Sequence, residues 1–293
     1  MAGLALSSHR QNYLRQLAFL PMALVVLIYL ASMAWTLLIS LTQSRTLPNF
    51  NWAGFAQYQR LFENERWLTA LQNLAWYALW FLPLSIVLGT LLAVALDQQK
   101  RWSNLWRALF LYPYAMSFIA TGVVWQWLLH PELGLNHYLA SLGLPEVFDW
   151  LIDTDRVMYA IVAATIWQSA GFVMVILLAA LRGVDSDLWR VARLDKIPTW
   201  RVYLSVILPM LKPAYLTVFL LLATATVKLF DAVEAMTQGG PGSGSVVPAK
   251  FIMDHLFGRA NLGLASAAAV SSLLSVIILL LGLYSLAKRA QHE

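Results

Sequence analysis

The sequence predicts an all-α polytopic membrane protein with six transmembrane helices. Of its 293 residues, 60% are hydrophobic and only 12% are charged, about half the charged share of a soluble domain. The apolar residues gather into six runs, each long enough to cross a bilayer as a helix, which takes about 20 residues. Lys and Arg are spread unevenly over the intervening loops, which fixes an orientation as well as a fold class.

Taken in order, residues 1–16 form a polar N-terminus. The first span covers 17–41, too long an apolar run for the core of a cleaved signal peptide. A polar, aromatic loop follows to 69, and the second span covers 70–96. A short turn holds Lys100 and Arg101. The third span runs 106–129 and opens with Leu111-Tyr-Pro-Tyr114. An acidic loop, 130–156, carries Glu132, Glu146, Asp149, Asp153 and Asp155 before the fourth span, 157–181. A charged loop, 186–212, precedes the fifth span, 214–233. A glycine-rich segment beginning at Thr237 leads to the sixth span, 262–287, and residues 288–293 close the chain.

Six spans place both termini on one side. Loops on that side hold thirteen Lys and Arg, those on the other side six. Because basic residues accumulate in the cytoplasm, both termini and the 186–212 loop are expected there. The formal net charge of +5 follows this topology and does not point to nucleic acid. The chain has no cysteine and its five histidines are scattered, so neither disulfide nor metal-ligand spacing appears. No nucleophile–base–acid pattern is visible, so the sequence does not read as an enzyme.

Within the charged loop, Ser186 to Leu194 suits a short helix with Ser186 as its cap. Pro198 discourages a helical Ile197, and a second short helix is expected from Thr199 to Leu208, ending near Pro209 and Pro213. A helix–turn–helix between spans is a suitable shape for docking, although a plain basic cytoplasmic loop satisfies the same charge rule. In the fifth span, Lys228 and Asp231 are three residues apart and would share a helix face. Charged groups at membrane depth usually face a bundle interior or a watery path, so the two read either as a structural ion pair or as part of a polar path. Trp125-Gln126 and Trp167-Gln168 pair a stacking surface with an amide, which suits sugar binding, but tryptophans also anchor helices at membrane interfaces.

Several of these stretches resemble one family. Ala192-Arg-Leu-Asp195 followed by Ile207-Leu-Pro209 is similar to the cytoplasmic coupling loop of ABC-importer permeases. It departs from that pattern where Arg190 replaces a Glu, Val191 an Ala and Lys196 a Gly. Phe230-Asp231, Thr237 and Gly239-Gly-Pro241 resemble the end of the fifth span in carbohydrate permeases. Phe251-Ile-Met-Asp254, Phe257 and Gly263-Leu-Ala-Ser-Ala-Ala-Ala269 continue the likeness. Leu111-Tyr-Pro-Tyr114 with Trp125 and Pro131, and Ile166-Trp167 with Gly171-Phe172, match earlier spans. The segment from Thr237 lacks the Gly-Lys-Ser/Thr ending of a phosphate loop and by itself reads as a flexible external loop.

The resemblance implies a type I ABC importer permease fold, with a permease core at 67–287 after a first helix and external loop at 17–66. It implies an inner-membrane protein of bacteria that translocates a sugar, the glucose and glucoside branch being most similar. Its partners would be a second permease subunit, a pair of ATPase subunits that bind ATP and Mg, a periplasmic sugar-binding protein and membrane lipid, with no cofactor held by this chain. The substrate path would involve Trp125, Gln126, Trp167, Gln168, Lys228 and Asp231. Val191, Ala192, Leu194 and Ile197 would form the face inserted into the ATPase, rimmed by Arg190, Arg193 and Asp195 and ended by Pro209. A rival expectation is a stand-alone secondary transporter coupled to ions through Lys228 and Asp231.

Overall fold

The computed structural model describes residues 2–99, 101–143 and 149–289, with side chains from 20 to 277 inside these limits. Glu146 of the acidic loop and the last four residues of the C-terminal tail lie outside them. In chain order the helices are α1 (Ala2–Ser40), α2 (Ala56–Phe62), α3 (Glu65–Gln98), α4 (Ser103–Ala115), α5 (Phe118–Leu128), α6 (Leu135–Ser141), α7 (Val157–Arg182), α8 (Ser186–Leu194), α9 (Thr199–Val202), α10 (Leu208–Met210), α11 (Lys212–Val227), α12 (Asp231–Met236), α13 (Pro248–Met253) and α14 (Leu262–Arg289). Wider, π-type turns fill Tyr203–Ile207 and Asp254–Gly258. Among the described residues the only β feature is an isolated bridge between Thr42 and Trp52.

The chain divides into two compact units, residues 1–63 with 252–293, and residues 64–251. The last helix therefore groups with the first. In the first unit, α14 packs against α1 and α2. The start of α14 is tied down by the Leu262 and Gly263 N–H groups donating to Arg45 O and Ser44 O, and α2 is tied to the segment after α1 by Gln57 Nε2 donating to Thr42 O. In the second unit, α3 lies along α7 and α4 crosses the other side of α7. Small residues set these approaches. A side chain at Gly89 would strike Val173 of α7, and one at Gly171 would strike the Phe110 carbonyl of α4. Close backbone contact at small residues is how helices associate without a hydrophobic driving force between them. The core of this unit is apolar and continuous, from Tyr77 and Phe81 through Ile161, Met174 and Leu177 to Val218 and Val233.

The segments Leu20–Ser40, Glu65–Gln98 and Val157–Arg182 are each long and apolar enough to cross a membrane alone. Two bent pairs, α4 with α5 and Thr199–Met210 with α11, raise the number to five. In α14 the apolar stretch with described side chains is Leu262–Ile277.

Two expected spans differ from a single straight helix. The third breaks at Met116 and Ser117, both extended (ψ 150° and 149°), and its halves meet at 94°. Ser117 caps the new helix by accepting the Ala120 N–H at 3.1 Å. The Met116 carbonyl, left without a helical partner, accepts from Gln168 Nε2 of α7 at 3.0 Å, because a freed backbone group at membrane depth needs a donor. The fifth span ends early: α11 stops at Val227, and α12 starts afresh at Asp231 after Phe230 at φ −138°.

Candidate functional site

The second unit carries two regions of interest, a groove beside the 237–246 turn and the 186–212 loop. The groove encloses about 550 Å³, within the usual range for small-molecule sites. Gln126, His130, Thr237 and Gln238 supply its polar groups, and Pro131, Leu151, Ile152, Met236 and Pro241 its apolar walls. One side is the turn 237–246, which a flexible loop does not describe. Thr237 Oγ1 and Ser245 Oγ lie 2.7 Å apart, and Ser245 Oγ also donates to Gly240 O at 2.7 Å. Asn73 of α3 donates its amide to Ser243 O and Val246 O at 3.1 and 2.9 Å. Gly239 takes φ +90°, a conformation that favours glycine, and a side chain there would crowd Val246. Lys250 Nζ reaches Glu234 Oε2 at 2.7 Å. A buried ammonium needs such a partner, so the ion pair ties α12 to α13.

The sequence-expected path residues separate. Gln126 lines the groove. Trp125 and Trp167 meet edge to face with ring centroids 6.0 Å apart, and Trp167 keeps an exposed face. Gln168 is only 1% exposed, and its amide is committed to the Met116 carbonyl. It braces the broken helix instead of facing a path. Lys228 and Asp231 do not share a helix face. Lys228 caps the end of α11, Asp231 begins α12, both are exposed, and no ion pair joins them. The helical spacing assumed for them fails because the chain leaves the helix at the three residues 228–230.

In the 186–212 loop, α8 is capped by Asp185 rather than Ser186, with the Asp187 N–H donating to the Asp185 carboxylate at 2.9 Å. Its end is a Schellman motif: Ile197 N–H donates to Ala192 O and Lys196 N–H to Arg193 O. The residue that such an end places in the left-handed region is usually glycine, and Lys196 sits there at φ +53°. The loop's apolar residues point two ways. Ala192, 8% exposed, packs into the unit's own core, as do Val202 and Tyr203. Val191, Leu194, Ile197, Trp200 and Leu204 are exposed, Leu194 at 80%. Ala192 therefore leaves the expected insertion face, and Trp200 and Leu204 join it. Arg190 pairs with Asp187 at 2.7 Å and Arg193 Nε donates to Trp189 O, and both residues are exposed. Asp195 caps the C-terminus of α8, and Pro209 lies within α10 before the bend into α11. Tyr203, edge-on to Trp189, donates its hydroxyl to Asp97 Oδ2 of α3 at 2.6 Å.

A helix–turn–helix with an exposed apolar crest, on a bundle containing a broken helix, can be set against known proteins. Residues 85–292 match the family described as binding-protein-dependent transport system inner membrane component. The chain belongs to that family. It is 33% identical over 269 residues to a probable ABC transporter permease protein of Pyrococcus horikoshii, covering 90% of this chain and 92% of that one. It is 29% identical over 271 residues to the diacetylchitobiose uptake system permease of Streptomyces coelicolor, covering 87% and 76%. Against the trehalose/maltose transport system permease of Thermococcus litoralis it is 27% identical, covering 92% of each. The fold matches a chain of a bacterial ABC transporter involved in import of the acidic polysaccharide alginate, with TM-score 0.85, 20% identity and 96% of each chain covered. This permease is thus a transport component of the inner membrane, with an ABC-importer permease fold.

Sequence reading did not find the Lys250–Glu234 pair, the Asn73 clamp or the Tyr203–Asp97 bond in this permease. Asn73 had a signal, being an amide in an otherwise apolar run. Tyr203 and Asp97 are 106 residues apart, and nothing local marks them as partners.

Proposed function

We propose that this permease is one of two membrane-spanning subunits of an ATP-driven importer that moves a carbohydrate into the cell. The observation that carries the coupling half of this reading is the exposed crest of Val191, Leu194, Ile197, Trp200 and Leu204. In water an uncovered apolar surface of this kind marks an interaction site, and the basic count places it in the cytoplasm, where an ATPase subunit holding ATP and Mg docks. The ATPase pair moves the loop, and the Tyr203–Asp97 bond passes that movement to α3. A soluble sugar-binding protein delivers substrate at the opposite face. There the groove offers amides and an imidazole to sugar hydroxyls, with apolar walls for the ring faces.

The sugar assignment is supported by the names of relatives, which include uptake systems for diacetylchitobiose and for trehalose and maltose. The order Lys228-Leu-Phe-Asp231 with Thr237-Gln-Gly-Gly-Pro241 is similar to glucose and glucoside permeases, so substrate screening begins with these. A carrier driven by ions alone has less support, because its coupling pair, Lys228 and Asp231, is not paired.

The test is an affinity purification from native membranes in mild detergent, with co-purifying proteins identified. An ATPase, a second permease and a soluble binding protein are expected. A lone chain able to drive uptake in ATP-free vesicles would overturn the proposal.

A further inference from the structure

Where α4 packs on α7, Arg182 reaches the first turn of α4, and Arg107 stands one turn further along that helix. Arg182, the last residue of α7, donates from Nη2 to Ser103 Oγ at 3.1 Å. Arg107 stands one turn beyond Ser103 on the same face of α4, and helical side chains lean back toward the N-terminus, so its head leans toward Ser103. Arg107 Nε and Nη2 are covered by protein yet have no hydrogen-bond partner. Neither arginine has an ion pair. The nearby cytoplasmic acids are engaged elsewhere: Asp97 accepts from Tyr203, Asp185 from the Asp187 N–H, and Asp187 pairs with Arg190. Asp195 closes α8.

Arg182 is exposed and Arg107 partly buried; a guanidinium shielded at two of its nitrogens and left without a counter-charge is costly, so an anion from outside the chain is expected to complete this cluster. The neighbouring surface says which. Trp102 and Trp106 are 59% and 43% exposed, and Leu105 and Leu109 are exposed beside them. Tryptophans sit at headgroup level and leucines in the acyl region, so the two arginines lie at the depth of lipid phosphate. Basic pockets between spans on the cytoplasmic side bind anionic headgroups. We propose that Arg107, Arg182 and Ser103 form a site for the phosphate of an anionic phospholipid in the cytoplasmic leaflet. The inference rests on the membrane orientation given above, and it does not require the ATPase to be present.

The test uses the full chain in the assembly it purifies with, in neutral detergent, titrated with phosphatidylglycerol or with phosphatidylcholine. Bound lipid is counted by native mass spectrometry and Tm is followed. Phosphatidylglycerol should be retained and should raise Tm, and phosphatidylcholine should do neither. Retention should weaken roughly fivefold for each of Arg107→Gln and Arg182→Gln. Arg107→Lys keeps the charge and should keep most of the preference, which covers the case of a glutamine variant that does not fold. Equal retention of both lipids, or an undiminished preference in a folded double glutamine variant, would overturn the site. An equal rise in Tm with inorganic phosphate would overturn the lipid as its ligand. Failure of the importer reading would instead show as a missing ATPase in the same purified sample.

Discussion

The loop at 186–212 and the turn at 237–246 are both tied to α3 by side-chain hydrogen bonds, the first at Asp97 and the second at Asn73. These anchors are about 36 Å apart along one helix, at 1.5 Å per residue. In the outer turn the polar groups face inward and satisfy one another, through Thr237, Ser245, Asn73 and the Lys250–Glu234 pair. The 186–212 loop does the reverse. It buries Ala192, Val202 and Tyr203 and leaves Val191, Leu194, Ile197, Trp200 and Leu204 outside. The outer turn is shaped by its own chain and so can be one wall of a groove. The 186–212 loop leaves an apolar crest that its own unit does not cover, as the docking face proposed above requires.

The strongest way to break that contrast is Leu194→Asp combined with Ile197→Asp. Both side chains are exposed, so the isolated chain should keep its Tm. ATPase co-purification and uptake should fall by more than about tenfold, since desolvating two carboxylates in an apolar contact costs several kcal/mol. Wild-type association would show that the crest is not the docking face. Ala192→Asp would not be a clean version of this experiment, because Ala192 lies in the permease's own core and the variant would report folding.

Next in size is Asn73→Ala. It removes both donors to the outer turn and strands the Ser243 and Val246 carbonyls, at a cost of about 1–3 kcal/mol for each that water does not reach. Hydrogen exchange across 237–246 should speed up and uptake should fall, while ATPase association stays at its wild-type level. Asn73→Asp, which cannot donate, should behave like the alanine variant. Unchanged exchange in the turn would mean that the clamp contributes nothing to its shape.

What the sequence made legible, and what it did not, follows from the range of the forces involved. The helices α3 and α7 were visible because continuous apolar runs of that length have one economical solution in a bilayer. The resemblance of 186–212 to a coupling loop rested on short motifs, and α8 formed within the limits expected for it. The break between α4 and α5 was hidden because apolar residues continue across it. Its cause is a pair of extended residues braced by Gln168, 52 positions away. Lys228 and Asp231 were misplaced for a related reason: i and i+3 share a face only while the helix lasts, and three non-helical residues are enough to part them. Asp97 and Tyr203 carry no local signal, since the fold alone brings them together.

Tyr203→Phe tests the cytoplasmic anchor and should have a smaller effect than loss of the Asn73 clamp. One hydrogen bond to a carboxylate disappears, worth about 1.5–3 kcal/mol in general. The low end is expected here because Asp97 sits at the end of α3 and is only partly buried. The variant should still bind the ATPase, because the crest is untouched, and should hydrolyse more ATP per sugar imported. A wild-type ratio of hydrolysis to uptake would mean that the bond is dispensable for coupling.

The smallest expected effect is at Lys196, and its sign is informative. The turn after α8 requires a left-handed residue, and Lys196 adopts φ +53° there. A non-glycine residue in that region costs about 1–2 kcal/mol, while glycine loses about 0.5–1 kcal/mol more backbone entropy on folding. Lys196→Gly should therefore stabilise the loop by roughly 0.5 kcal/mol, the difference of those two terms. The Ile197 N–H, whose bond to the Ala192 carbonyl closes the motif, should exchange more slowly. Lys196→Val, β-branched and poorly suited to positive φ, should move the same amide the other way. ATPase association should follow the order Gly, Lys, Val if the exposed crest is presented by this turn, because a frayed turn splays Leu194 from Trp200. If association ignores the substitution while the Ile197 exchange responds to it, the crest is held by Ala192 and Tyr203 in the core, and the turn only joins two helices already in place.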